Sequence, residues 1–490
     1  MITLKEIAVP PSSESNENGG EAAPMQASTP RPDWIAPVLL LFLDVLSWVA
    51  IYGGIGWLKG DDFYSSAFQL FLVELLQLVV IVQAIFVVGG YDYQIEKRTL
   101  TYTAEHILAL VCAAVFSSFL IYSAATFDQS MHPSRSVLLL SFLVFLPVSI
   151  LYRRQISAYS ARDSASKAFL VIGGGEAAAQ LYCAYQASPN RQRLEFVDPE
   201  RQRIGQPVAG PGSPLIEGDF PTKLENLNTY YSGVILAERV AKIAPDLLER
   251  LVRTQFQRTR VYTLESFYET HWRYVPLEAI DPVWPLQTGF QLARMSPYHY
   301  LKRLCDIGLS AVLLVVCFPL MVLIGLAIRI KDGRPVIFSQ ERVGRDDVPF
   351  TVYKFRTMVG TSAGQAEDLY THEGDPRITG LGRILRKLRL DELPQLWNVL
   401  RGEMSLIGPR AEWVKCAERY QSQIPLYHFR HLVKPGITGW AQVNYPYGES
   451  EKDALEKLKY DLYYIRHYSL KLDAMIILKT VHTMLFSKGR

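Results

Sequence analysis

The stretch RILRKLRLDELPQLWNVLRGEMSLIGPR, from Arg383 to Arg410, contains two adjacent carboxylates, Asp391 and Glu392. Apolar side chains recur at helical spacing around the pair, and Pro394 suits the first turn of the helix that they predict. The pair would then lie at the N-terminal end of this helix, where free backbone N–H groups favour anions. Several cationic side chains flank the pair within the same stretch, among them Arg383, Arg386, Lys387, Arg389 and Arg410.

This stretch has two interpretations. The first is structural, because acidic residues are common in the first turns of helices and one carboxylate would cap the helix. The second is catalytic, with a nucleophile and a metal ligand set among cations that hold the phosphate groups of a substrate. The spacing of the residues alone leaves both interpretations open.

The composition indicates a membrane protein with several domains. The chain has 490 residues, of which 49% are hydrophobic, and the apolar residues are concentrated in a few runs. A formal net charge of +3 without a long basic run argues against nucleic-acid binding. The five cysteines show no CxxC or paired spacing, which argues against a zinc site or a disulfide framework and predicts small, buried, apolar side chains.

The N-terminal third of the chain predicts a tail followed by a membrane domain. Residues 1–33 are too poor in apolar groups to fold, which predicts a disordered cytoplasmic tail and no cleavable signal peptide. The positive-inside rule places both ends of a four-helix transmembrane bundle, residues 34–153, in the cytoplasm. Asp44 and Glu74 lie inside this bundle, where hydrogen bonding between helices is expected of them. Each apolar run is long enough to cross a bilayer: Trp34–Trp57, Ala67–Val88, Ala104–Ala124 and Ser136–Tyr152.

Between residues 166 and 267, short β-branched runs alternate with helical patterns, which predicts a Rossmann-like, doubly wound α/β domain. The run KAFLVIGGGEAAAQLYCAY joins a strand to a glycine-rich turn and a helix, with Gly173, Gly175 and Ala178 matching G-x-G-x-x-A. Asp198 follows the next strand-like segment, near where a ribose-binding acid would lie. The glycines are consistent with a nucleotide-binding turn and equally with a tight turn that packing alone requires.

A fifth apolar run, LKRLCDIGLSAVLLVVCFPLMVLIGLAIRIKDGRP, contains Pro319 in its interior. A full crossing would carry Asp391 to the outside of the cell, away from nucleotide-activated substrates. A re-entrant helix of about residues 303–328, broken near Pro319 and returning to the cytoplasmic face, avoids this. Basic residues at both ends of the run would then reach the same layer of lipid headgroups: Lys302, Arg303, Arg329 and Lys331.

Four motif-rich segments follow Pro335: FSQERVGRDDVPFTVYKFRTM, LRLDELPQLWNVLRGEMSLIGPRAE, HLVKPGITGWAQVNYPYG and KYDLYYIRHYSLKLDAMIILKT. In series they resemble the bacterial sugar transferase family, the monotopic phosphoglycosyl transferases that start polysaccharide and glycoconjugate assembly. The resemblance predicts an α/β-type phosphoglycosyl transferase domain over residues 299–490, after a connector at 268–298. The membrane helices and the Rossmann-like domain ahead of it are similar to those of the large members tied to exopolysaccharide synthesis.

The resemblance implies transfer of a hexose 1-phosphate from a UDP-sugar to polyprenyl (undecaprenyl) phosphate, with release of UMP. It implies Mg²⁺ and a covalent phosphosugar intermediate on Asp391, with Glu392 as its partner in metal binding or proton handling. It also implies a helix broken at Pro319 and a bacterial inner-membrane enzyme with its catalytic domain on the cytoplasmic face. Further motif residues are expected to bind phosphate or to lie beside the site: Lys354, Arg356, Arg410, Gln340 and Arg342.

Three residues of these motifs keep two interpretations each. Lys354 and Arg356 alternate with Tyr353 and Phe355, a pattern that is also typical of an exposed strand face. Trp440 suits stacking on a base or sugar and equally an aromatic anchor at the membrane interface.

Two other functions compete with the transferase. A membrane-bound NAD-dependent nucleotide-sugar dehydratase or epimerase would also join transmembrane helices to a Rossmann-like domain, and its Tyr-x-x-x-Lys pattern occurs at Tyr298–Lys302. That function leaves the last 190 or so residues without a role. A non-catalytic scaffold of polymer assembly is disfavoured by the intact Asp391–Glu392 pair. The sequence leaves open which sugar is transferred and whether the protein is a monomer or a homodimer.

Overall fold

The computed structural model describes residues 34–60, 67–92, 95–126, 134–165, 167–188, 192–218, 223, 227–238, 243–256, 259–280, 284–286, 289–290, 296–358, 375–446, 448 and 450–485. The predicted tail, residues 1–33, lies outside these ranges.

The membrane domain consists of the helices α1 (Ile35–Leu58), α2 (Ala67–Val87), α3 (Leu100–Ala124) and α4 (Arg135–Ala165). They pack around an apolar core that includes Trp48, Ile81, Leu110 and Phe145. The outward side chains of these helices are also largely apolar, as lipid contact requires. Among the described residues, four helices are long and apolar enough to cross a membrane, and a fifth, Phe71–Val87, is shorter: Ile35–Leu58, Leu100–Ala124, Arg135–Ser160 and Tyr298–Lys331.

A fully buried ion pair holds the bundle together. Nη1 and Nη2 of Arg153 on α4 donate to Asp44 on α1 at 2.9 and 2.5 Å, and neither side chain is exposed. Tyr91 donates to the same carboxylate at 2.6 Å, and Tyr152 also donates to it. This confirms that Asp44 makes bonds between helices, whereas Glu74 is only half-buried on α2.

The next segment is an α/β domain with one parallel sheet. Its strands lie in the order β3-β2-β1-β4-β5, which is the order of a doubly wound fold, and every pair is parallel. The strands are β1 (Ala168–Ile172), β2 (Arg193–Val197), β3 (Ile216–Glu217), β4 (Tyr231–Leu236) and β5 (Arg260–Thr263). The helices are α5 (Glu176–Gln186), α6 (Leu227–Tyr230), α7 (Pro245–Phe256) and α8 (Leu264–His271).

The glycine-rich turn lies between β1 and α5. Gly173 has a φ of +122°, and a Cβ there would meet the backbone of Ala237 at 3.1 Å, so the turn needs glycine for packing alone. Asp198 follows β2 as expected, but its carboxylate accepts three backbone N–H bonds from its own loop at 3.0–3.1 Å. It therefore caps a loop, which is a different role from the ribose-binding one expected from its position.

The fifth apolar run forms one helix, α9 (Tyr298–Lys331), after short 3₁₀ turns at Leu277–Ala279 and Trp284–Leu286. The predicted break is wrong, because the helix continues through Pro319. A proline removes one backbone donor from a helix and leaves the other hydrogen bonds in place, so it can bend the axis without ending the helix.

The basic residues at the start of α9 bind protein groups, and their expected place at the lipid headgroups stays a prediction. Lys302 is 7% exposed and forms an ion pair with Asp473. Both terminal nitrogens of Arg303 donate to the backbone carbonyls of Val399 and Leu400, at 2.6 and 2.9 Å. Arg329 and Lys331, at the other end of α9, are exposed, which is compatible with their expected place at the lipid headgroups.

The C-terminal domain surrounds the carboxylate pair with short elements. Two small sheets, an antiparallel β6–β7 hairpin and a parallel β8–β9 pair, frame the site. Its strands are β6 (Ile337–Val343), β7 (Pro349–Phe355), β8 (Ser405–Ile407) and β9 (Gly436–Thr438). Its helices are α10 (Gly380–Lys387), α11 (Gln395–Arg401), α12 (Val414–Gln423), α13 (Trp440–Asn444), α14 (Glu451–Arg466) and α15 (Leu470–Leu485). Shorter 3₁₀ turns occur at Arg345–Asp347, Leu390–Glu392 and Tyr427–Leu432.

The C-terminal domain contacts the membrane bundle through α15. Lys479 on α15 forms a 3.0 Å ion pair with Glu105 on α3, and the ammonium of Lys471 lies 4.0 Å from the centre of the Phe86 ring. These contacts fix the orientation of the C-terminal domain relative to the bundle.

Candidate active site

The carboxylate pair lies in a tight turn between two helices. Arg389 adopts a left-handed conformation with a φ of 55° that ends α10, and Pro394 precedes the first residue of α11. Asp391 and Glu392 therefore form a separate 3₁₀ turn before α11, one step earlier in the chain than the predicted first turn of that helix. Pro394 suits the start of α11, because the first residues of a helix have no intrahelical partner for a backbone N–H.

Glu392 is held by two cations. Its Oε1 accepts from Nζ of Lys354 at 2.7 Å and from Nη1 of Arg410 at 3.2 Å. Burial opposes ionisation, but the charges of Lys354 and Arg410 outweigh it and hold the pKa of Glu392 well below its ordinary value. Glu392 is therefore a buried carboxylate that stays ionised at neutral pH.

Asp391 has a different environment although it is the next residue. It is 8% exposed, and its carboxylate has no hydrogen-bond or ion-pair partner in the part of the chain that the structure describes. Burial and the charge of Glu392 raise the pKa of Asp391, against the opposing charges of Lys354 and Arg386. An unpartnered and destabilised carboxylate is more nucleophilic than one that accepts hydrogen bonds.

The two cations reach Glu392 from the two small sheets. Lys354 projects from β7, and burial lowers its pKa to about 8 although the charge of Glu392 acts in the opposite direction. Arg410 follows β8, where Gly408 and Gly436 lie back to back: a Cβ on either would collide with the other segment's backbone. This close approach of β8 and β9 places the guanidinium of Arg410 over the turn.

Gln340 and Arg342 on β6 lie behind this cluster. Oε1 of Gln340 accepts from Nη2 of Arg342 at 2.9 Å, and Nη1 of Arg342 donates to the carbonyl of Ala411 at 2.5 Å. Burial, and next the charge of Arg410, lower the pKa of Arg342. The pair thus supports the Arg410 segment and adds positive charge beside the site.

Arg356 lies apart from the other candidates, which corrects its expected role. Its Nη1 donates to the carbonyl of Arg334 at 2.6 Å and its Nη2 to the carbonyl of Asp332, both in the loop after α9. β7 ends at Phe355, so Arg356 leaves the strand and its side chain does not follow that of Lys354. It stabilises the loop after α9.

The four cations of α10 and its end differ in their distance from the pair. Arg386 and Arg389 are half-buried, and their charges act on Asp391 and Glu392 respectively. Arg383 and Lys387 are exposed and lie on the solvated face of α10.

Sequence reasoning missed two aspartates that position the site. Oδ1 of Asp306 on α9 accepts from the backbone N–H of Leu406 at 3.0 Å and from Oγ of Ser405 at 3.1 Å, which joins α9 to β8. Asp473 on α15 accepts from Tyr298, Lys302 and Tyr464, at 2.8 Å from the last. An aspartate inside an apolar helix is the signal that would have found each of them.

Two further expectations need correction. Trp440 is 3% exposed, and its Nε1 donates to the carbonyl of Arg273 at 2.9 Å, so it is a core residue. All five cysteines are free, but only Cys416 is buried; Cys112 and Cys305 lie exposed on apolar helices.

The carboxylate pair fits a divalent cation that arrives with a substrate. Within the described residues there is no group of three or more His, Cys, Asp or Glu side chains with metal-binding geometry. Two adjacent carboxylates, one of them unpartnered, match the preference of Mg²⁺ for one or two carboxylates completed by phosphate oxygens and water.

Comparison with known proteins gives a consistent result. A family model described as bacterial sugar transferase matches residues 297–487, which include the carboxylate pair and both of its cations. A UDP-N-acetylgalactosamine-undecaprenyl-phosphate N-acetylgalactosaminephosphotransferase of Aeromonas hydrophila is 39% identical over 261 residues, 53% of this chain and 60% of that protein. A UDP-glucose:undecaprenyl-phosphate glucose-1-phosphate transferase of Escherichia coli (strain K12) is 34% identical over 328 residues, 64% of this chain and 67% of that protein.

The extent of these matches differs between relatives. The chain covers less than two thirds of the Aeromonas protein but 89% of the Bacillus subtilis (strain 168) sugar transferase EpsL, itself described as uncharacterized, with 41% identity over 194 residues. A match over most of a relative's length, together with the family model, establishes kinship. The chain belongs to the bacterial sugar transferase family.

Proposed function

We propose that the protein transfers a hexose 1-phosphate from a UDP-sugar to undecaprenyl phosphate and releases UMP, as the first membrane step of exopolysaccharide synthesis. The observation that carries the proposal is the contrast within the carboxylate pair. Glu392 is neutralised by Lys354 and Arg410, whereas Asp391 is buried beside them with no hydrogen-bond or ion-pair partner among the described residues. Relatives with 39% and 34% identity carry names that state this type of transfer from a UDP-sugar.

The reaction would proceed in two displacements at one phosphorus. An oxygen of Asp391 attacks the sugar-bearing phosphorus of the UDP-sugar, an O–P bond forms, and the bond to the bridging oxygen breaks so that UMP leaves with that oxygen. A phosphate oxygen of undecaprenyl phosphate then attacks the same phosphorus and frees the carboxylate. Lys354 and Arg410 lie where they would offset the charge on the phosphoryl oxygens during both displacements.

Mg²⁺ is the expected cofactor, held by Asp391 and Glu392 together with diphosphate oxygens. When bound, it would neutralise part of the negative charge that otherwise repels the attacking carboxylate. Lys354 and Arg410 already compensate Glu392, so the protein alone offers a divalent cation little net charge. We expect the cation to bind tightly only together with the nucleotide sugar.

We further propose that α9 is re-entrant and that the C-terminal domain faces the cytoplasm at the bacterial inner membrane. A straight helix of this length would be about 50 Å long, well beyond a hydrocarbon core of about 30 Å. Both ends of α9 nevertheless contact the C-terminal domain, through Arg303 near the start and through Ile328, which packs with Phe355 and Leu385, near the end. A bend at Pro319 would bring both ends to one side.

The topology can be tested by cysteine labelling. In a cysteine-free background, Lys387→Cys should be labelled only from the cytoplasmic side; periplasmic labelling would contradict this topology.

The α/β domain would be Rossmann-like by its strand order, but the dehydratase or epimerase alternative is not favoured. Its Tyr-x-x-x-Lys residues, Tyr298 and Lys302, both bind Asp473 in the interior of the C-terminal domain. Neither lies at the glycine-rich turn after β1, where a nicotinamide cofactor would bind.

The test is UMP release by purified protein with Mg²⁺, undecaprenyl phosphate and a panel of UDP-sugars. We expect UMP with at least one sugar, and its loss in Asp391→Asn. Glu341→Gln, which changes an exposed carboxylate on β6, is the matched control and should retain release. Undiminished UMP release by Asp391→Asn would refute the nucleophile assignment, and release of UDP instead would point to ordinary glycosyl transfer.

A further inference from the structure

A cationic cavity lies at the opposite end of α11 from the carboxylate pair. It is formed where the start of α9 meets β8, the loop before β9 and the turn of the β6–β7 hairpin. Arg303 lines the cavity and joins it to α11, because its side chain donates to the carbonyls of Val399 and Leu400 in the last turn of that helix. The lining residues are His299, Lys302, Arg303, Asp306, Arg345, Ser405, Val433, Lys434 and Tyr468.

Two cations in this cavity form no ion pair with an acidic side chain of the described residues. Lys434 has no hydrogen-bond or ion-pair partner in the ranges that the structure describes, and Arg303 is bound only to neutral carbonyls. A Cβ built on Gly402 would lie 3.0 Å from Nη2 of Arg303 and 3.5 Å from Nζ of Lys434, so the two nitrogens are no farther apart than the sum of these distances. Two positive charges at this separation repel each other unless an anion lies between them.

The acidic side chains nearby do not neutralise this pair fully. Lys302 is compensated by Asp473, and Arg345 lies 3.4 Å from the half-exposed Asp346. Asp306 is the carboxylate in the lining, and its Oδ1 already accepts two hydrogen bonds from β8. One unit of positive charge therefore remains. Burial, and next the charge of Arg303, lower the pKa of Lys434, which is the effect that a bound anion would reverse.

The cavity also lies beside exposed apolar side chains of α9. Just beyond Arg303, the side chains of Leu304, Ile307 and Leu309 are 67%, 40% and 49% exposed. Exposed apolar side chains of a helix with membrane-spanning composition indicate the hydrocarbon boundary, and headgroup phosphates lie directly next to that boundary.

We propose that the phosphate group of an anionic membrane lipid binds at the mouth of this cavity, between Arg303 and Lys434 and with Arg345 at the rim, because the enclosed volume of about 10 Å³ holds no more than a water molecule. Arg303 would join the lipid to the last turn of α11, and Lys434 precedes the β9 strand that supports Arg410. The site is separate from the carboxylate pair, so the proposal does not depend on the proposed transfer reaction.

The test is native mass spectrometry of the full chain in detergent, titrated with dioleoyl phosphatidylglycerol or with the zwitterionic dioleoyl phosphatidylcholine. We expect one phosphatidylglycerol to be retained selectively, and Lys434→Gln to weaken its retention about tenfold, as the loss of one charge-assisted hydrogen bond predicts. Lys434→Arg should restore it. Lys331→Gln, at the other end of α9 and exposed, is the matched control and should retain the lipid as the wild type does.

Three results would overturn the proposal. Equal weakening in Lys331→Gln would indicate general attraction to basic residues instead of a site. Unchanged retention in Lys434→Gln would exclude the cavity. Displacement of the lipid by inorganic phosphate at equal concentration would make free phosphate the ligand. The melting temperature of Lys434→Gln in lipid-free detergent should match that of the wild type, which excludes misfolding as the cause of lost binding.

Discussion

At the scale of single residues, the site depends on how two neighbouring carboxylates are distinguished. The sequence predicts Asp391, Glu392, Lys354 and Arg410 as a cluster, and three of them are in direct contact. The sequence could not predict that both cations bind Glu392 and not Asp391, because the 3₁₀ turn sets the directions of the two carboxylates. Arg356 was mispredicted for the same kind of reason, since the end of β7 decides the direction of its side chain.

We predict that Lys354 and Arg356 differ sharply in importance although they are two residues apart. Lys354→Met leaves a buried Glu392 with one cation and removes a phosphate ligand, so kcat/KM for UMP release should fall about 100-fold or more. Arg356→Met removes only contacts to loop carbonyls and should lower kcat/KM by less than about threefold. Similar losses in both variants would contradict the assignment.

A second residue-scale prediction concerns the pH dependence of stability. Burial, and next the charge of Arg430, lower the pKa of His431 to about 4 in the folded protein. As the pH falls below the ordinary histidine pKa, His431 becomes protonated in the unfolded chain but stays neutral in the folded chain. The free energy of unfolding therefore decreases between about pH 6.5 and pH 4. His431 should contribute a loss of about 2 kcal/mol between pH 7 and pH 5.

The measurement is unfolding of wild type and His431→Gln at pH 7 and pH 5 in the same detergent. The variant should lose less stability on acidification, whatever its stability at pH 7. An equal pH dependence of the two proteins would show that His431 is protonated as easily in the folded state as in the unfolded one.

At the scale of elements, two short motifs act as one unit. Gly408–Arg410 and Pro435–Trp440 belong to two separate motif-rich segments of the sequence, but β8 and β9 pair in parallel and Gly408 lies against Gly436. Pairing between segments about 30 residues apart leaves no periodic signal in sequence, so the sequence could not predict it. The same holds for Lys302, whose partner Asp473 lies far along the chain.

We predict that Gly436→Ala impairs catalysis by displacing Arg410. The new Cβ would collide with the backbone of Gly408, so β8 and β9 must separate and the guanidinium must leave Glu392. UMP release should fall at least tenfold in kcat/KM with a lower melting temperature, because overpacking of this kind costs about 1–3 kcal/mol. Gly380→Ala, where a Cβ would meet nothing within 4 Å, is the control and should behave as the wild type.

At the scale of the whole molecule, the membrane bundle and the C-terminal domain are tied together by specific contacts. The sequence predicts the apolar helices from length and composition, and the structure has a helix at each of the predicted runs. It could not predict that Glu105 pairs with Lys479, since burial of that pair exists only after the domains dock. It also overstated the effect of Pro319, which leaves α9 uninterrupted.

We predict that this pair couples the two domains measurably. Glu105→Lys and Lys479→Glu should each lower the melting temperature, because each places like charges in contact at a largely buried position. The double variant should recover most of the loss, with a coupling of about 1–2 kcal/mol. Additive losses in the double variant would mean that the docking of α15 does not depend on this ion pair.

The bonds from Arg303 to the end of α11 also give the protein a mechanical property. The apolar helix α9, which is expected to contact the acyl chains, is bonded directly to α11, the helix that follows the carboxylate turn. A thinner or thicker bilayer would change the tilt of α9. This change would be transmitted to the carboxylate pair through α11, which is only seven residues long. Turnover in vesicles should therefore have an optimum in acyl-chain length, even with saturating amounts of both substrates.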